Sequence, residues 1–246
     1  MRLTRHELRL AHWPATLDGV RVAAIADLHV GAPHVGLRKL ERVVARVNRE
    51  VPDVVALLGD YADPRVALGS RIPPEAVAEC LAQLRAPTVA VLGNHDWDEW
   101  GPRMLCALRS TGVAVLENQA VPLPVRGSRL WAAGLADTAT RSPSLHALDV
   151  VPDGEPVLVL SHDPDVFPYV PSRVALTLAG HLHGSQVNLP LVGRLVTPSR
   201  HGARYAAGHI EEDGRDLFVS RGIGTSRLPV RFLAPPEVAL LRLRAP

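Results

Sequence analysis

Five short segments of this chain share one construction, an apolar run that ends in residues able to bind a metal or move a proton. Residues 20–26 lead into Asp27-Leu28-His29, residues 54–58 into Gly59-Asp60, and residues 88–92 into Gly93-Asn94-His95-Asp96. Residues 156–160 lead into Ser161-His162-Asp163, and residues 174–179 into Gly180-His181-Leu182-His183. Such runs read as buried strands, and strands of this kind deliver functional groups at their C-terminal ends. One polar strand end is ordinarily a cap or a hydrogen-bonded core group, but packing gives no reason for five. Asp27, His29, Asp60, Asn94, His162, His181 and His183 therefore form a candidate metal-ligand set. Oxygen and imidazole donors without a thiolate suit Mn, Fe or Zn, with Mn favoured. The i,i+2 spacing of Asp27 with His29, and of His181 with His183, puts each pair on one face of an extended chain and turns Leu28 and Leu182 to the core.

Written as D-x-H, G-D, G-N-H-D, a lone H and G-H-x-H, these blocks resemble those of the calcineurin-like metallophosphoesterases, in the same order, across residues 27–183. The tail, residues 220–232, resembles the closing segment of the bacterial YkuE/YaeI-like branch. The resemblance implies one metal on Asp27, His29, Asp60 and His183 and a second on Asp60, Asn94, His162 and His181, with Asp60 bridging. It implies a phosphoric ester hydrolase, a phosphodiesterase with monoesterase activity left open, in which a metal-bridging hydroxide attacks phosphorus. Two divalent ions about 3.5–4 Å apart acidify a shared water and grip two phosphoryl oxygens. Two dications, two aspartates and a hydroxide leave one positive charge, which matches a diester monoanion.

His95 follows Asn94 directly, so it can face the substrate as general acid to the leaving alkoxide, with Asp63 or Asp96 orienting its ring. Arg65, Arg200 and Arg221 fall in segments that border the site, and a guanidinium fork suits phosphate. Gly222-Ile223-Gly224 either turns backbone N–H groups to the substrate or makes a tight turn. Trp97 and Trp100 are expected to pack on the following helix. His6, His12, His34, His146, His201 and His209 match no block, and His201 beside Arg200 is the one nearest to interest.

Two features depart from the resemblance. The branch pattern G-H-T-H-G-G-Q appears here with Leu182 and Ser185, and Ser185 is costly if its position needs a positive φ. The segment from Gly59 to Arg65 differs from the G-D-x-V-D-R-G block of protein phosphatases, which argues against that activity. Two alternatives stand beside the diesterase: a pyrophosphatase acting on a UDP-linked acylated sugar, and a catalytically silent scaffold of the same fold. A scaffold should have lost ligands, and none is missing. A DNA nuclease would need a basic face, whereas the net charge is +2.

The elements that must position these residues follow from periodicity. Leu37, Leu40, Val43, Val44 and Val47 mark a crossover helix, and residues 73–84 and 102–109 give two more. Residues 113–116, 120–125 and 129–133 read as short antiparallel strands, as do segments after Gln186, among them 187–189, 194–196 and 204–210. The expectation is one α/β domain over residues 1–246, a four-layer αββα sandwich of two mixed sheets flanked by helices. With 246 residues, 47% of them hydrophobic, the chain can bury a full core. Cys80 and Cys106, both expected as buried free thiols, suggest a reduced cytoplasmic setting. The N-terminal residues lack the apolar segment of an export signal, a departure from relatives of the branch that a trimmed chain would also show. No window reaches the ~18 apolar residues of a membrane span. A small-molecule or lipid-linked phosphoester is the expected partner, with no specific nucleic acid, with peripheral membrane contact left open, and with oligomeric state unassigned. Residues 189–192 and 232–236 form either a lipid-facing rim or, preferred, a pair packed on each other.

Overall fold

The computed structural model describes residues 1–189, 193–194 and 197–246. In chain order the elements are β1 (Arg2–Arg9), β2 (Val20–Ile25), α1 (Leu37–Glu50), β3 (Val54–Leu58), α2 (Pro74–Leu81), β4 (Thr88–Val91), α3 (Asn94–Glu99), α4 (Pro102–Ser110) and β5 (Ala114–Val115). There follow β6 (Gln119–Val125), β7 (Ser128–Gly134), β8 (Val157–Leu160), β9 (Leu176–Ala179), β10 (Asn188–Leu189), β11 (Gly193–Arg194), β12 (Gly208–Glu212), β13 (Arg215–Val219) and β14 (Glu237–Arg244). One six-stranded sheet has the order β1-β14-β2-β3-β4-β5 and the other β12-β13-β9-β8-β7-β6.

The central strands read as unbroken apolar runs because both of their faces are covered. Ala23, Ile25, Val55, Leu57 and Ala90 pack outward on Leu40, Val43, Val44 and Val47 of α1 and on α2 and α4. Val22, Ala24, Ala56, Leu58 and Val91 pack inward on Leu130, Leu158, Leu160, Leu176, Leu178 and Phe218 of the second sheet. The far face of that sheet is covered by short 3-10 turns at Leu145–Leu148 and Pro164–Tyr169, completing the αββα layering.

Strand direction departs from the sequence reading. β5 joins the first sheet parallel to β4, and β7, β8 and β9 run parallel to one another. Of the three short strands expected as antiparallel, only β6 and β7 pair that way. Parallel strands need a crossover of a dozen residues or more, but that crossover need not be an α-helix. Here residues 135–156 and 161–175 cross as loops and 3-10 turns, which leave no helical period to read. Residues 204–207 are turns, with β12 opening only at Gly208, and residues 190–192, 195 and 196 lie outside the described residues. Cys80 is buried as expected, whereas Cys106 is exposed on α4; both are free. No described helix is long and apolar enough to cross a membrane.

Candidate metal centre

β2, β3 and β4 run parallel in one sheet, β8 and β9 in the other, and their C-terminal ends converge between the sheets. Six of the seven predicted ligands meet there, and Asn94 opens α3 just beyond β4. Donor atoms of Asp27, His29 and His183 lie within 4.8 Å of one another, as do those of Asp60, His162 and His181. His29 Nε2 is 3.1 Å from His183 Nε2, and His162 Nε2 is 3.1 Å from His181 Nδ1. These separations also match neighbouring ligands on one ion, about 3.0–3.4 Å apart for bonds of ~2.1 Å. Asp60 Oδ2 lies 3.5 Å from His29 Nε2 and 3.3 Å from His162 Nε2, between the two clusters. Asn94 Oδ1 is buried with no hydrogen-bond partner among the described residues. Converging imidazoles and buried aspartates, with an unpartnered buried oxygen at the start of α3, fit divalent cations.

The backbone reaches this geometry by a route the spacing did not suggest. Asp27, His29, Asp60, His181 and His183 have φ of 49°, 44°, 56°, 69° and 52°. These are left-handed residues beyond the strand ends, so the i,i+2 pairs share a direction through tight turns and not through extended chain. Leu28 and Leu182 do point into the core. Side chains at positive φ are costly and persist where surrounding structure enforces them. Gly93 shows how tight that enforcement is, since a Cβ there would land on Asp60 Oδ1.

A second layer fixes the ligands. His162 Nδ1 lies 2.7 Å from Leu58 O, which places its proton there and leaves Nε2 for the cluster. Asp27 accepts from His181 N at 3.0 and 3.2 Å, and Asp60 Oδ1 accepts from His95 N at 3.0 Å. Burial alone would raise the Asp60 carboxyl, yet the charge and bond of His162, with His95 and His29, hold it well below the usual range. Burial would likewise lower His162, but Asp60 and Asp27 hold it well above an ordinary imidazole.

Asp96 and Asp63 separate cleanly. Asp96 accepts from the backbone N–H groups of Asp60, Tyr61 and Gly93, so it ties α3 to the strand ends and does not orient His95. Asp63 Oδ2 lies 2.7 Å from His95 Nδ1 and 3.4 Å from His29 Nδ1. Arg65 Nη2 is also 2.7 Å from His95 Nδ1, and Arg65 Nε lies 2.9 Å from Glu99 Oε1. Arg221 pairs with buried Glu237 at 2.9 Å, and Arg200 sits on a loop held by Asp165. Trp100 is buried, while Trp97 is half-buried with Arg141 stacked 3.8 Å over its ring. The Ile223 and Gly224 N–H groups bond Asp27 O, which makes that segment a turn over the ligand strand. None of the six other histidines joins these clusters.

Three contributors had no place in the sequence reading. Ser226 Oγ lies 3.3 Å from His95 Nε2. Arg231 donates to His183 O and Gly224 O and places Nη2 3.0 Å from His183 Nδ1. Asp137, fully buried after β7, helps raise His162. Only Asp137 carried a signal, a sixth polar residue just beyond an apolar run.

A family model described as calcineurin-like phosphoesterase matches residues 20–185. The metallophosphoesterase YkuE of Bacillus subtilis is 30% identical over 98% of this chain and 85% of its own. Phosphodiesterase YaeI of Escherichia coli is 31% identical over 98% of this chain and 87% of its own. UDP-2,3-diacylglucosamine pyrophosphatase LpxG of Chlamydia trachomatis is 26% identical over 98% and 89%. A 5'-nucleotidase precursor from Thermus thermophilus superposes with a TM-score of 0.52 at 15% identity, over 82% of this chain and 49% of that one, a likeness of fold. Every ligand block of the pocket falls inside the matched span, and the chain belongs to the calcineurin-like phosphoesterase family.

Proposed function

We propose that this enzyme is a dinuclear phosphodiesterase, and the observation that carries the reading is Asp60 Oδ2 standing between imidazoles of both clusters. Asp27, His29, Asp60 and His183 would hold one ion and Asp60, Asn94, His162 and His181 the other, with Mn favoured for an oxygen and nitrogen donor set. When bound, the pair supplies Lewis acidity toward the phosphoryl oxygens and a water acid enough to attack phosphorus.

The chain's own residues supply the rest. His95, with its Nδ1 proton directed at Asp63, presents Nε2 beside Ser226 and delivers a proton to the leaving alkoxide. Arg65, whose Nη2 lies 2.7 Å from His95 Nδ1, and Arg200 would supply guanidinium contacts to substrate oxygens. Arg221, paired with Glu237, supports the loop behind them. Two free thiols favour a cytoplasmic setting.

The test is hydrolysis of bis-p-nitrophenyl phosphate and p-nitrophenyl phosphate by metal-stripped protein, with Mn²⁺, Fe²⁺ or Zn²⁺ restored. Diester cleavage that returns with metal and is lost in Asp60→Asn and His95→Ala supports the reading. Protein that binds two ions yet turns over neither substrate overturns it.

A further inference from the structure

Two loops close over the end of the fold that holds the ligands. Residues 64–74 follow Asp63, and residues 220–236 follow β13. Ala67 N donates to Arg227 O at 3.1 Å and joins them, beside the Ser226 that touches His95. Their composition is uneven, with arginines at 65, 71, 221, 227 and 231 and no Asp or Glu.

Nine large hydrophobic side chains are exposed among the described residues, and five of them sit on these two loops. They are Leu68, Leu228, Val230, Phe232 and Leu233, with Leu68 92% exposed. The expected packing of residues 232–236 against 189–192 falls largely outside the described residues, while Phe232 pairs through its backbone with Gln186 and Asn188. Scattered apolar residues are ordinary, but a cluster beside a pocket marks an interaction surface. Backbone strain adds to this: Leu68, Arg227 and Leu233 have φ of 64°, 60° and 53°. An exposed leucine at positive φ is unfavourable in conformation and in hydration.

The charged side chains of the two loops themselves are all positive. Of the carboxylates that approach these loops, Asp63, Asp98 and Glu99 share Arg65, and Glu237 pairs with Arg221. Arg227 forms no ion pair among the described residues. Lys39 of α1 has its pKa lowered by burial and then by the nearby charges of Arg231 and Arg42, which extends the positive field. A second copy is a poor occupant, because a two-fold contact sets each patch on itself and brings cation to cation. Apolar tips with arginines suit an interface where side chains enter the headgroup layer and guanidinium groups stay at its phosphates.

We propose that this rim docks the protein on the surface of an anionic phospholipid bilayer, with Leu68, Leu228, Phe232 and Leu233 in the headgroup layer and Arg227 at lipid phosphates. The mouth of the ligand pocket then faces the membrane. Docking does not depend on which ester the site cleaves.

The experiment is co-sedimentation of the full chain with phosphatidylcholine vesicles and with vesicles that also contain phosphatidylglycerol. Wild type should bind the anionic vesicles at least roughly tenfold more tightly, with an affinity that falls as salt rises. The combined L228S, F232S and L233S variant should bind them about tenfold more weakly, and R227E should weaken binding and flatten its salt dependence. Both should still cleave the soluble diester, which shows an intact fold. Absence of vesicle binding by wild type, or undiminished binding by the triple variant, overturns the proposal. So does a wild-type dimer in light scattering that the triple variant loses, which would assign the patch to a second copy. Vesicle binding without diester cleavage would count against the proposed function and leave the docking surface standing.

Discussion

Asp63 Oδ2 lies 2.7 Å from His95 Nδ1 while the same oxygen approaches His29 Nδ1 at 3.4 Å, so one buried carboxylate contacts both the proposed proton donor and a proposed metal ligand. Burial works to lower the His95 pKa, but the contact with Asp63 and the charges of Asp60 and Asp63 outweigh it and raise it. A general acid is active while protonated, so diester hydrolysis should fall as pH rises through the His95 pKa. Asp63→Asn should move that basic limb to lower pH and cost about a hundredfold in kcat on its alkaline side, with little change in KM. A uniform loss at every pH, with the limb unmoved, would reduce Asp63 to a support for His29.

His162 must shed its proton to bind a metal, and Asp60 and Asp27 hold that proton more tightly than usual against the opposing effect of burial. Loading at neutral pH should therefore release protons, and metal affinity should fall as the solution is acidified. The sign for stability follows. A raised His contributes stability to the metal-free chain below its unfolded pKa, and that contribution disappears as pH rises through the folded pKa. The difference in Tm between loaded and stripped protein should widen with pH. Titration calorimetry in buffers of different ionisation heat is the direct check, and heats independent of the buffer would contradict it.

Ser185 occupies the position where the branch pattern has glycine, and its φ is 64°. Its hydroxyl lies 2.7 Å from Thr197 Oγ1, which offsets the strain. Ser185→Ala keeps the strain and loses the bond, a loss of about 1 kcal/mol. Ser185→Gly loses the same bond but relieves roughly 1 kcal/mol of left-handed strain, so it should come out near neutral. Urea unfolding of the two variants decides the order. Glycine less stable than alanine would show that left-handed strain at this position is not what limits stability.

What the sequence made legible was local. Asp27, Asp60, Asn94, His162 and His181 each end or follow an apolar run, so their strands announce them, and the two sheets bring them to one place. Asp63 and Asp96 could not be told apart, because both are aspartates in loops and their roles depend on whether the side chain faces backbone N–H groups or an imidazole. Ser226 and Arg231 reach the centre only because β14 inserts between β1 and β2 and draws the preceding segment over the ligands, through Glu237 N bonding Gly222 O. No period or spacing encodes a return of that kind. Left-handed φ at five ligands was equally hidden, since aspartate and histidine carry no glycine-like signal for it.

Glu117 offers a test away from the metals. Its Oε1 is buried without a hydrogen-bond partner among the described residues. Burial, helped by the charge of Asp137 and opposed by Arg141 and Arg109, pushes its carboxyl up to about 7 from 4.5. Below the unfolded value both states are protonated and the residue is neutral to stability. As pH rises toward 7 the unfolded chain ionises first, so Glu117 destabilises the fold, fully so above its folded pKa. The side chain is only half-buried, and solvent screening makes the effect smaller than the whole shift implies. Glu117→Gln should raise Tm by about 2–4 °C above neutral pH, corresponding to roughly 1 kcal/mol for a chain of this size. Near the unfolded pKa the gain should vanish. A gain of equal size in acid and alkali would mean that a new amide hydrogen bond, and not the removal of a strained charge, stabilises the variant.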